Sequence, residues 1–150
     1  MAKRWLTCAF ACFGLSLMAL AAHAGQLERA GDYDIHYAAV STRFLTPEVA
    51  QAYGLQRSAG LGLLSVTVRE RQDDGTTRAV NTGVKGSVGL LDEAPKALAF
   101  RTVRDNGAVY QLATFRLQHD APLHFALKVR TDRNAEPENV SFIQRFYLER

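Results

Sequence analysis

Apolar and polar residues alternate one by one through most of this 150-residue chain. Tyr33, Ile35, Tyr37 and Ala39 alternate with Asp32, Asp34 and His36. Leu123, Phe125, Leu127 and Val129 alternate with His124, Lys128 and Arg130. Side chains on a strand point to opposite faces with period two, so each segment reads as a strand with one face on a core and one on water. The final segment differs. Val140, Phe142, Gln144, Phe146 and Leu148 alternate with Ser141, Ile143, Arg145 and Tyr147, which is apolar on both faces and suggests a central strand.

Turn signals separate these runs. Asp73-Asp74-Gly75 divides the 61–71 run from the 76–91 run, and Asp105-Asn106-Gly107 divides 97–104 from 108–118. Asp-Gly and Asn-Gly tolerate the positive φ of tight hairpins. Gly83, Gly86 and Gly89 interrupt the 76–91 run, which predicts a bulge or a change of sheet there. One short helix is predicted over 46–54. Thr46 can cap it, Pro47 fits its first position, Glu48 suits its positive end and Gly54 its left-handed stop. About two turns are unstable alone, so the helix must pack on a sheet, through Val49 and Tyr53. About seven strands with one short helix predict an all-β fold, an antiparallel immunoglobulin-like β-sandwich, with a small β-barrel as the alternative.

Residues 1–24 form a different kind of segment. Lys3 and Arg4 precede an apolar run from Trp5 to about Ala22, closed by Ala22-His23-Ala24. Basic start, apolar middle and small-x-small end describe a secretory signal peptide cut after Ala24. Thr7, Gly14 and Ser16 weaken the run as a membrane anchor, so no membrane span is expected after cleavage. The expected organisation is a signal at 1–24 and one sandwich domain at 25–150, placed in the periplasm.

Cleavage removes Cys8, Cys12 and Trp5, which are all the cysteine and tryptophan the chain has. Disulfides, a thiolate nucleophile and Cys-ligated metal are thereby excluded for the mature chain. Lys3 and Arg4 also carry two of the three net positive charges. The remaining Lys and Arg are scattered, which disfavours nucleic acid as a partner.

The block Gly31-Asp-Tyr-Asp-Ile-His-Tyr37, Ser41-Thr-Arg-Phe-Leu-Thr-Pro-Glu-Val-Ala50, Tyr53-Gly-Leu-Gln-Arg-Ser58 and Gly62-Leu-Leu-Ser-Val66, with Phe142–Tyr147 at the end, resembles a family of small secreted bacterial proteins classed as a domain of unknown function. The resemblance implies a proteobacterial periplasmic protein with an immunoglobulin-like sandwich. It implies no catalytic residues.

Asp32, Asp34 and His36 are two apart and would share a strand face at about 6.5–7 Å spacing, which makes them a weak candidate cation site. Three ligands at most fall short of a closed site. His119 and His124 flank a turn and read as surface histidines. No Gly-x-Ser-x-Gly elbow appears, Thr82–Gly86 lacks the P-loop pattern, and Asn139-Val140-Ser141 is a chance sequon in a bacterial chain. The irregular excursion from Ser41 to Ser58 carries the candidate binding residues Arg43, Tyr53, Gln56 and Arg57. The competing reading has it plug one open end of the sandwich with Phe44, Leu45, Val49 and Leu55. The chain therefore reads as a non-catalytic periplasmic binding or accessory domain without a cofactor, its partner an envelope protein or a small ligand. A metal-dependent or hydrolytic enzyme and a structural subunit of an envelope assembly are the alternatives.

Overall fold

A computed structural model describes residues 25–118 and 120–147. Two antiparallel sheets face each other. The six-stranded sheet runs β1 (Gln26–Ala30), β2 (Tyr33–Ser41), β3 (Leu61–Arg71), β8 (Ala108–Arg116), β7 (Arg101–Asp105). Its sixth strand, β4 (Thr77–Val80), pairs with Val68–Arg71 of β3, beyond the part of β3 that pairs with β8. The four-stranded sheet runs β10 (Glu138–Arg145), β9 (Pro122–Arg130), β5 (Gly83–Leu90), β6 (Lys96–Ala97). The paths of both sheets are open, so the described strands form a sandwich and not a closed barrel.

Among the described residues ten strands replace the expected seven, because two runs change sheet midway and one strand, β1, precedes the first expected one. The 76–91 run leaves the six-stranded sheet after β4 and enters the other as β5. The 97–104 run does the reverse, from β6 to β7. The predicted change of sheet at the glycines is thus present. Gly86 and Gly89 are needed there for space. A Cβ on Gly86 would lie 2.6 Å from Leu127 and 2.9 Å from the Ala126 carbonyl, and one on Gly89 would lie 3.0 Å from Pro95 Cα. Leu98 N–H donates to the Gly86 carbonyl at 2.8 Å, which binds the 91–98 loop back over β5. The additional β1 pairs with β2 through a two-residue turn, Gly31-Asp32, with Gly31 at φ +57°. Asn106 and Gly107 both take positive φ in the β7–β8 turn, as an Asn-Gly hairpin requires.

The inner faces interlock through aromatic rings. Phe125 stacks on Phe142 at 4.6 Å and meets Phe115 edge-on at 5.0 Å. Phe115 lies 5.6 Å from Phe146, and Tyr37 lies 4.9 Å from Phe142. Each such pair adds about 0.5–1.5 kcal/mol to plain burial. Ile35, Leu64, Val66, Phe125 and Val129 are fully buried around them. Gly62 sits opposite Phe115 on β3, and a Cβ there would fall 2.2 Å from its ring. Glycine at 62 makes room for Phe115.

One strand expectation fails. β10 is an edge strand, not a central one. Val140 and Phe142 are buried, while Ile143 is 55% exposed and Tyr147 75%. The outward apolar residues of this segment face solvent, so two-sided apolar pattern did not mean two-sided burial. The signal-peptide expectation lies outside the described residues.

Candidate functional site

The helix α1 (Pro47–Ala52) forms as its terminal signals dictate. Thr46 Oγ1 accepts from Val49 N–H at 3.2 Å, Pro47 opens the helix, and Gly54 takes φ +64° after it. The helix packs on a sheet through Val49 and Tyr53 as expected, but on the sheet's outer face and not as the end plug of the competing reading. Leu45, Val49 and Tyr53 face Ala38, Val40, Leu63, Ser65, Tyr110 and Leu112, which project from the outer face of the six-stranded sheet. β3 and β8 bury Leu63 and Leu112 on that face in addition to Leu64 and Phe115 on the inner one. A sheet apolar on both faces needs a cover on both, and the helix supplies the outer one. Phe44 is 63% exposed and lines a surface groove beside Ser41 and Phe146 without entering the core.

Within this excursion the four candidate residues do not converge. Thr42, fully buried, holds the two ends together, its Oγ1 accepting from Ser58 N–H at 2.9 Å and donating to the Ser58 carbonyl at 3.1 Å. Arg57 Nη2 donates to the Arg43 carbonyl at 3.3 Å, and the Arg43 guanidinium lies 5.5 Å from the Phe44 ring. Tyr53 turns the other way. Its hydroxyl donates to Asp105 Oδ2 at 3.0 Å, its carbonyl accepts from Arg101, and its ring is 6.0 Å from Tyr110. Burial, then the bond to Asp105, raises the Tyr53 phenol above its ordinary 10.0, so it remains a donor. Gln56 is exposed. These contacts fasten the excursion to β7 and β8 and build no pocket from all four.

The candidate cation set is also dispersed. Asp32 lies in the β1–β2 turn, off the strand. Asp34 accepts from Arg71 Nη1 at 2.7 Å and lies 3.7 Å from Arg29 Nε. His36 is exposed on the same face. Among the described residues no three His, Cys, Asp or Glu side chains could together hold a metal ion. His124 lies 2.7 Å from Ser141 Oγ on the outer face of the four-stranded sheet, and His119 lies outside the described residues.

Two lateral openings were not visible in the sequence. Both form where an edge strand of the six-stranded sheet stops short. β7 pairs with β8 only as far as Leu112, so Ala113–Arg116 continue without it. A cleft of about 390 Å³ opens there, between β8 and the 93–98 segment. Its apolar wall includes Phe115, Leu123, Val88 and Leu98, and its polar rim includes Lys96, Arg116 and Glu93. On the opposite side β1 pairs with β2 only from Tyr37 back to Tyr33. Two smaller grooves of about 230 and 190 Å³ follow, between Ala38–Ser41 and β10. Gln144 Nε2 ties them to β2 by donating to the Ala39 carbonyl at 2.8 Å. Ser41 Oγ, in a residue only 6% exposed, is the one buried side-chain polar atom without a hydrogen-bond partner among the described residues.

Comparison with known proteins agrees with the two-sheet fold. The profile of DUF4426, a domain of unknown function, matches residues 27–149. A crystal structure of a DUF4426 family protein from Pseudomonas aeruginosa PAO1 is 32% identical, with a TM-score of 0.71 over 84% of this chain and 97% of that one. FetP from uropathogenic E. coli strain F11, expressed recombinantly in the E. coli periplasm, is 10% identical with a TM-score of 0.57, over 82% of this chain and 93% of its own. A copper-bound variant of FetP gives the same identity and score over 85% and 92%. At that identity the likeness is one of fold. No curated protein matches the chain.

Proposed function

Because the chain belongs to the DUF4426 family, whose description assigns no activity, we propose from its own geometry that it is an exported, non-catalytic binding domain for a small ligand. The observation that carries this reading is the β6/β8 cleft. It has the volume of a small-molecule site and the usual make-up of one, an apolar wall with a few polar groups at the rim. Export rests on the order of residues 1–24, which leaves one sandwich domain from Gly25 onward in the periplasm. No helix among the described residues is long and apolar enough to cross a membrane. The copper of the FetP variant finds no support in this chain's donors, since its only cysteines and methionines fall within the first 18 residues and no ligand trio converges among those described.

Native mass spectrometry of protein recovered gently from the envelope tests both halves. The expected species begins at Gly25 and retains a small organic molecule that an Ala97→Trp variant, which fills the exposed side of the cleft, does not retain. A mass that includes residues 1–24 would overturn cleavage after Ala24, and recovery of the protein from the cytoplasm alone would overturn export. Ligand-free protein, or a ligand retained equally by the variant, would overturn the cleft as the site.

A further inference from the structure

The rim of the β6/β8 cleft carries more than one charge, and those charges are not used by the fold. Several cations elsewhere bind carboxylates or carbonyls, while Lys85, Arg104, Lys128 and Arg133 are unpaired among the described residues but stand on no apolar cleft of this size. Arg71 takes Asp34 and the Gly31 carbonyl, Arg78 takes Glu70, Arg101 takes Tyr53, Arg130 takes the Arg133 and Ala135 carbonyls, and Arg145 takes the Asp120 carbonyl. The Lys96 and Arg116 side chains have no hydrogen bond or ion pair with any described residue. They stand on opposite walls of one opening, Lys96 on β6 of one sheet and Arg116 on β8 of the other. Below them the wall is apolar and fixed. Phe115 is held by Phe125 and Phe146, and Leu123 is 2% exposed.

Resting on the reading of this cleft as a binding site, we propose that its ligand is a small amphipathic anion. The apolar body would lie against Phe115, Leu123, Val88 and Leu98, and the single anionic head between Lys96 and Arg116. Apolar body against apolar wall provides the area-dependent attraction. The head sets orientation through charge-assisted hydrogen bonds, which are shorter and stronger than neutral ones. Arg116 can present two parallel N–H donors to a carboxylate, and Lys96 a point charge. Glu93 on the same rim sets the limit. Its carboxylate repels a second negative charge, so a monoanion fits and a polyanion does not. The wall also depends on Gly89, because any side chain there would press on Pro95 and move the segment that carries Glu93 and Lys96.

Isothermal titration of the purified protein with two probes of equal chain length, sodium octanoate and 1-octanol, tests the class of ligand. Octanoate is expected to bind about tenfold more tightly than octanol, a ratio that falls toward one in a Lys96→Gln/Arg116→Gln double variant while octanol binding persists. Both residues are exposed, so the double variant is expected to fold as the parent does. Raising salt should narrow the same ratio in the parent protein. Equal binding of both probes, unchanged in the double variant but lost in Ala97→Trp, would overturn the anionic class and leave the cleft standing as a site. Binding of neither probe by the parent would overturn both. Octanoate binding that survives Ala97→Trp would place the anion elsewhere and overturn the proposal.

Discussion

The two lateral openings of the sandwich arise in the same way and end differently. On each side an edge strand of the six-stranded sheet stops before its neighbour does, β7 beside β8 and β1 beside β2. On the β2/β10 side the sheets are then stitched together. Gln144 reaches across to the Ala39 carbonyl, and Tyr37 packs on Phe142. On the β6/β8 side the 91–98 loop folds back over Gly89, and the opening remains about 390 Å³. A cross-sheet hydrogen bond narrows one opening and a glycine-supported loop frames the other. The wider opening is the one whose rim charges are unpaired, which is why it, and not the grooves beside β10, is read as the ligand site.

The most disruptive way to break this comparison is Phe115→Ala. Phe115 is both the wall of the cleft and the centre of the aromatic chain, touching Phe125 and Phe146. Truncation removes a buried ring and leaves a cavity between the sheets. The expected loss is about 3–5 kcal/mol in urea unfolding. A loss below about 1 kcal/mol would mean that the cleft already reaches the core and that the two sheets are not joined through this ring.

The other opening gives a smaller effect of opposite sign. Ser41 Oγ is buried without a partner, whereas two other buried polar side chains are satisfied, Thr42 by Ser58 and Gln111 by Thr102 and Asn81. An unpaired buried hydroxyl costs about 1–3 kcal/mol in desolvation. Ser41→Ala deletes the hydroxyl and almost no volume, so stability should rise by about 1 kcal/mol, read from the urea midpoint at constant m-value. A fall of similar size would show that the hydroxyl is satisfied, and the β2/β10 groove would then be a hydrated site in its own right.

The architecture was legible in the sequence wherever the cause was local. Period-two alternation gave the inner faces of β2, β9 and β10, Asn106-Gly107 gave its hairpin, and Thr46-Pro47 with Gly54 bounded the helix. Gly83, Gly86 and Gly89 announced a change of sheet. What failed depended on neighbours far along the chain. Whether β10 lies at an edge depends on what pairs beyond it, and no residue of β10 encodes that. The reading in which Phe44, Leu45, Val49 and Leu55 plug an open end fails, while the helix packs on a sheet through Val49 and Tyr53 as expected. The helix covers the outer face because β3 and β8 present Leu63 and Leu112 there, two adjacent apolar residues, Leu63-Leu64, being the available sign. The cleft was invisible because it is made by strand lengths. Lys96 and Arg116 are ordinary surface cations until β7 ends at Arg101 and leaves the edge of β8 open.

The finest test of the comparison is between charges the fold uses and charges it leaves free. Glu70 accepts a hydrogen bond from Arg78, and that bond, followed by the coulombic attraction of the same guanidinium, holds the carboxyl below its ordinary 4.5 despite some desolvation. The folded state therefore keeps Glu70 ionised at pH values where the unfolded chain binds a proton. The resulting stabilisation is fully present above about pH 4.5 and disappears as pH falls through the lowered folded value. A Glu70→Gln variant should accordingly lose less stability than the parent when urea midpoints are compared between about pH 6 and about pH 3. The Lys96→Gln/Arg116→Gln double variant removes two charges that no described carboxylate pairs with, and its acid profile should run parallel to that of the parent. The surface location of the Glu70 pair makes this the smallest of the expected effects. If the double variant flattened the profile as Glu70→Gln does, the cleft cations would be structural partners of an acid, and the rim would lose its claim to an external anion.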